Sequence, residues 1–191
     1  MANLTDIFPA ASSTNVLEVL QGTCDGRSIT VSSGTYTLTN VTSVQNFSTS
    51  YQEITGSAIT YTPPDGTKYL SYRFDFMWDA ENYSGISHFK INIDGTDIPK
   101  SGKTYSLNYS GSSHNHGNWV TSMFYVFDLT ASSDDVANGK FANWTSGKTI
   151  RVYGRDYNST TWKAQVHYNV YYSTLAISQY TTPNLTLIAY S

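Results

Sequence analysis

Residues 68–95, KYLSYRFDFMWDAENYSGISHFKINIDG, limit what this chain can become more than any other stretch. Leu70, Tyr72, Phe74, Phe76 and Trp78 alternate with Tyr69, Ser71, Arg73, Asp75 and Met77. A period of two puts one aromatic row on one face of a strand and a mostly polar row on the other. Turn formers fill 79–85, after which Phe89, Ile91 and Ile93 alternate with His88, Lys90, Asn92 and Asp94, closed by Asp94-Gly95. Two such strands are expected to lie as antiparallel neighbours with a wide apolar face. A pair alone is unstable in water, so the rest of the chain must cover that face. The expectation is a sheet packed on a sheet.

The flanking sequence repeats the pattern in shorter units. VLEVLQG from Val16, a turn at Cys24-Asp25-Gly26, then 27–34 and 36–44 read as strands rich in Thr and Val. Two more precede Pro63-Pro64-Asp65-Gly66, the clearest turn in the chain. Residues 96–110 suggest a weak strand and a hairpin through Lys100-Ser101-Gly102-Lys103. WVTSMFYVFDL, 119–129, is apolar on both faces and predicts burial of both. One helical turn is expected within 131–144, capped by Ser133 with Asp134 and Asp135 near its start. Strands at 148–157, 162–172 and 184–190 close the chain. About ten strands, little helix and no fixed repeat point to an all-β, antiparallel two-sheet jelly-roll sandwich. An immunoglobulin-type sandwich is the alternative, weakened by the absence of a Cys…Trp…Cys pattern. The reading divides the chain into an extended N-terminal arm, 1–15, and one jelly-roll domain, 16–191. In the arm, Leu4, Ile7 and Phe8 offer apolar anchors for a neighbouring subunit or larger assembly.

Charge and cysteine content exclude several functions. Eleven Lys and Arg spread through a chain of net charge −3 form no basic tract, so no nucleic acid partner is expected. No run approaches the ~18 apolar residues of a membrane helix, and no membrane partner is expected. The single Cys24 allows no internal disulfide. Without a recognisable signal peptide, synthesis in a cytoplasm is the expectation.

Catalytic constellations are not evident. No Gly-x-Ser-x-Gly elbow occurs, Cys24 has no histidine near it in sequence, and Asp75, Asp79 and Glu81 read as a solvated edge. The chain reads as a non-enzyme without a cofactor. His114-Asn115-His116, within the wholly non-apolar loop 111–118, is the sharpest local motif. Residues i and i+2 of an extended segment point the same way, so both imidazoles can reach one ion. Two ligands are too few, but a threefold axis supplies six nitrogens, an octahedral set suited to iron or nickel. His88 and His167 fall on the polar faces of their strands and read as surface or interface residues. Tyr168, Tyr171, Tyr172, Tyr180 and Trp162 are either a sugar-stacking platform or packing. Trp162, Asn115 and Tyr157 are the candidate ligand contacts.

The segments NVLEVLQGTCDGRSITVSSGTYTLTNVT, YTPPDGT, ISHFKINIDGT and PNLTLIAYS resemble marine phage and cyanophage virion structural proteins, over about residue 15 to the end. The His-x-His pair is similar to the metal-binding pairs of trimeric phage fibre tips. The resemblance implies a tumour-necrosis-factor/C1q-like jelly roll assembling as a homotrimer. Its expected role is a virion component, as capsid decoration or fibre-like protrusion, joined to other capsid or tail proteins through the arm. A tail-fibre or knob module for host attachment, binding a surface glycan, is the alternative.

Overall fold

The computed structural model describes residues 15–80, 85–106, 118–157, 164–169 and 180–191. In chain order the strands are β1 (Val16–Thr23), β2 (Ser28–Val31), β3 (Gly34–Thr37), β4 (Gln45–Asn46), β5 (Gln52–Glu53), β6 (Ile59–Tyr61) and β7 (Tyr69–Ala80). They continue with β8 (Ile86–Ile93), β9 (Thr96–Ser106), β10 (Asn118–Asp128), β11 (Lys148–Asp156), β12 (Ala164–Val166) and β13 (Asn184–Tyr190). The protein is all-β, and its strand pairs are antiparallel.

β7 organises a six-stranded sheet. β10 pairs with it from Tyr69 to Asp79 on one side. On the other side β13 takes residues 69–75 and β12 takes 78–80, with β1 beyond β13 and β4 beyond β12. The second sheet runs β5-β11-β8-β9, with β6 also on β11. β2 and β3 form a separate hairpin.

β7 and β8 are therefore not hydrogen-bonded neighbours, contrary to the sequence expectation. They lie in different sheets and meet through side chains: Phe76 packs on Phe89 with ring centroids 5.5 Å apart, and Trp78 Nε1 donates to Ser87 Oγ at 3.1 Å. The period of two fixes which side chains share a face but not which strand becomes the neighbour. Placing the aromatic row of β7 against Phe89, Ile91 and Ile93 of β8 buries both, which a flat hairpin cannot do. Leu70, Tyr72, Phe74, Phe76, Ile91, Val152 and Leu187 are buried in the resulting core.

Local chemistry sets the strand ends. Asp94 (φ 47°) and Gly95 (φ 89°) form the two-residue turn joining β8 to β9, a left-handed pair that suits Asp-Gly. The hairpin expected at 100–103 is instead a bulge within β9. Ile98 sits opposite Ile91 and Lys103 opposite Phe89, so 99–102 loops out against one residue. Ser101 stabilises it, accepting from Ile91 N–H and donating to the Ile98 carbonyl, both at 2.7 Å. The strand expected over 36–44 stops at Thr37. The helical expectation over 131–144 reduces to a 3-10 turn at Val136–Asn138, preceded by Asp135, with no side-chain cap from Ser133. Among the described side chains of β10 only Thr121, Met123 and Phe127 are buried, and Val120, Phe124 and Val126 on its other face are exposed within the single chain.

The arm with Leu4, Ile7 and Phe8, the His114–Asn115–His116 motif, Glu81, Trp162, Tyr171 and Tyr172 lie outside the described residues. No described helix is long and apolar enough to cross a membrane.

Candidate functional site: a cationic and aromatic sheet face

Alternation along β8 and β11 sends Phe89, Ile91, Ile150 and Val152 into the core. The intervening residues form cross-strand pairs on the opposite face: Arg151 with Asn92, Tyr153 with Lys90, and Arg155 with His88. β5 adds Glu53 beside Tyr153, and β9 adds Asp97 beside Asn92 and Thr104 beside His88. Gly154 holds this face close to the core. A Cβ there would stand 2.7 Å from Phe47 Cζ and 3.1 Å from Phe89 Cε1, so only glycine lets β11 lie over that ring pair.

Tyr51 precedes β5 and projects over this face, still 40% exposed. Lys90 Nζ lies 3.9 Å from its ring centroid and Arg155 Cζ 5.1 Å, both within cation–π range. Two shallow grooves share Tyr51, Lys90 and Asp97. One, about 270 Å³, runs past His88, Lys103 and Thr104; the other, about 240 Å³, runs past Asn92 and Tyr153.

Lys90 pairs with Asp97, and Arg151 with Glu53 at 3.0 Å. Arg155 instead donates to the carbonyls of Thr49 (3.3 Å) and Tyr157 (3.0 Å), and no carboxylate pairs with it among the described residues. Neutral acceptors orient the guanidinium and leave its charge uncompensated, the arrangement that suits an incoming anion. Burial pushes the Asp97 carboxyl up, but hydrogen bonds from Lys90 and Asn92 outweigh it and hold the group below its ordinary value. Burial first, then the Arg155 charge, lowers His88, so its imidazole is neutral at pH 7. His88 shares a hydrogen bond with Thr104 through Nδ1 at 2.9 Å, and its ring lies 5.6 Å from Tyr157.

Of the sequence candidates, Tyr157 reaches this face, 45% exposed. Tyr168 and Tyr180 bridge one another elsewhere and build no platform with it. Tyr51, Lys90 and Arg155 were missed; the available signal was that cations and tyrosines share one parity along 88–92 and 151–155.

Other reactive residues have structural surroundings. Cys24 is buried, its thiol directed at the Gly56 carbonyl (3.4 Å), and burial with help from Asp25 pushes its pKa up to about 12. Asp75 pairs with Arg73 at 2.9 Å, while Asp79 is fully buried and not the solvated residue expected. His167 is a second correction. It is completely buried, its Nε2–H donating to the Thr55 carbonyl at 2.9 Å and its ring edge-on to Phe74 and Phe76. Burial lowers its pKa to about 4 against a smaller opposing effect of the Thr55 bond. Among the described residues no group of three His, Cys, Asp or Glu is placed to hold a metal ion.

No protein-family model matches the chain, and no curated protein matches it. Among solved structures it is similar to dimeric latent PorU from Porphyromonas gingivalis, at 11% identity and TM-score 0.33, over 95% of this chain and 14% of that one. It is also similar to CBM35 from Paenibacillus barcinonensis, at 13% identity and TM-score 0.21, over 94% and 93% of the two chains. Overlaps this loose carry no argument. The chain is an all-β protein of antiparallel sheets.

Proposed function

We propose that this chain is a non-catalytic recognition module that binds an acidic surface saccharide on the Tyr51 face. The observation that carries the reading is Tyr51, partly exposed beside Lys90 and Arg155 on one sheet face, in a protein whose net charge is −3. A tyrosine ring supplies an apolar platform for a sugar ring, and a guanidinium held by carbonyls supplies donors for a carboxylate or sulfate. The carboxylates at hand, Asp97 and Glu53, are tied to Lys90 and Arg151 and serve to orient cations. The phage-particle setting, with host attachment as the task and the virion as the location, comes from the sequence resemblance alone. The fold is read as a jelly roll, in which consecutive strands such as β7 and β8 cross between sheets.

Calorimetric titration with acidic and neutral polysaccharide fragments tests the reading. Binding to the acidic fragment is expected to weaken about tenfold or more in Tyr51→Ala and in Arg155→Gln. Absence of binding, or variants that bind as the parent does, would overturn it.

A second reading, a virion structural protein in capsid decoration or a protrusion, is favoured by a different observation. Six of the ten exposed large apolar side chains among the described residues, Val16, Val19, Tyr69, Val120, Phe124 and Val126, lie on the outward face of β1, β7 and β10 of one sheet. A face of this kind is normally covered in the working state. Its test is incorporation into particles, which Val120→Asp should abolish.

A further inference from the structure

We infer that the outward face of the six-stranded sheet is an interface between copies of this chain, which deepens the structural reading by naming the partner. β1, β13, β7 and β10 lie side by side, and their registers place Val19, Ile188, Ser71 and Val126 in one outward row. Gln21, Thr186, Arg73 and Phe124 form the next, with Met77 beside Val120 further along. Val120 is 78% exposed, Val16 56%, Phe124 50%, Val19 46% and Val126 45%, with Tyr69 at 41%. Side chains of this size at these exposures present roughly 500 Å² of apolar area, the apolar share of the ~800 Å² that each partner gives to an ordinary stable interface.

The edge of β10 away from β7 argues for contact through the face and against sheet extension. Alternate residues of β10 turn their backbone groups away from β7. At one of these, Lys103 Nζ donates to the Ser122 carbonyl at 2.8 Å. At another, Asp128 N–H donates to Gly139 and Phe141 N–H donates to Asp128, at 2.9 and 2.8 Å. A lysine and a crossing segment on an edge are devices that block strand addition, and neither obstructs the broad face.

Charge complementarity selects a second copy as the occupant. Arg73 and Asp75 sit near the middle of the apolar field, paired at 2.9 Å with side chains 56% and 23% exposed. Two such faces laid antiparallel bring Arg73 of each copy to Asp75 of the other. An interface between identical surfaces must be self-complementary, and a neighbouring cation and anion on one strand meet that condition.

The test is sedimentation analysis of the full chain and three variants at micromolar concentration, with urea unfolding in parallel to confirm each is folded. The parent is expected to sediment as a dimer, at twice its 21.2 kDa chain, and a trimer would contradict the two-fold arrangement. Phe124→Asp and Arg73→Asp should each weaken association by about tenfold or more. Combining Arg73→Asp with Asp75→Arg should restore association, because the exchange preserves self-complementarity. A monomeric parent, or a parent oligomer unaffected by Phe124→Asp, would overturn the inference. A monomeric parent that still loses particle incorporation on Phe124→Asp would overturn it while leaving the structural reading intact.

Discussion

Acidification is expected to destabilise this protein through His167. The imidazole is fully buried, bonded through Nε2–H to the Thr55 carbonyl and packed edge-on against Phe74 and Phe76, and Nδ1 has no partner among the described residues. Its pKa falls from an ordinary 6.5 to about 4 in the fold, burial being the main cause. A histidine with a depressed folded pKa contributes stability that is fully present above its unfolded pKa. That stability is lost as pH falls from 6.5 toward 4, because the unfolded chain takes up a proton the folded one refuses. Between pH 7 and pH 4.5 the loss is about 2.5 kcal/mol, at about 1.4 kcal/mol per pKa unit. His167→Gln keeps a donor for Thr55 and removes the titration. Urea unfolding of parent and variant at the two pH values should therefore show the parent losing about 2.5 kcal/mol more than the variant. Glu18, Asp25 and Asp97, with lowered pKa values, and His88 are common to both proteins and cancel in the comparison. Equal losses in parent and variant would refute the reasoning.

Two further outcomes follow from the packing. Gly154→Ala should destabilise the protein by about 1–3 kcal/mol in urea unfolding, because its methyl meets buried Phe47 and Phe89; an unchanged midpoint would contradict the packing described. Tyr61→Phe should cost about 2 kcal/mol at neutral pH, since the phenol donates to the buried Glu18 carboxylate at 2.6 Å. Burial raises the Glu18 pKa, but hydrogen bonds from Ser32, Ser33 and Tyr61 outweigh it, so the net shift is downward. The Tyr61→Phe deficit, read from unfolding at several pH values, should accordingly shrink as pH falls below Glu18's ordinary 4.5.

Local features were legible in the sequence where local physics decides them. The alternation of 70–78 assigned the inward row of β7 residue by residue, and Asp94-Gly95 marked the β8–β9 turn because its left-handed geometry tolerates few other pairs. Pairing was not legible. β7 has partners on both sides, drawn from β10, β12 and β13, all remote in sequence, and no period of two encodes that choice. The bulge at 99–102 was read as a turn because Lys-Ser-Gly-Lys carries turn residues, while the Ser101 bonds that make it a bulge depend on β8 being alongside. Polar-strand parity misplaced His167, whose surroundings are set by Thr55 and β7. The candidate site has the same character. Lys90 and Arg155 stood on polar faces of separate strands, and Tyr51 belonged to no period, so their convergence needed the β8–β11 register.

The central proposal is that the Tyr51 face is a binding surface, and an amide-resolved NMR titration with an acidic polysaccharide fragment tests it most directly. Shifts are expected to concentrate at Tyr51, His88, Lys90, Tyr153 and Arg155, and Arg155→Gln should remove them. Shifts elsewhere with these amides unmoved, or no shifts at all, would contradict it.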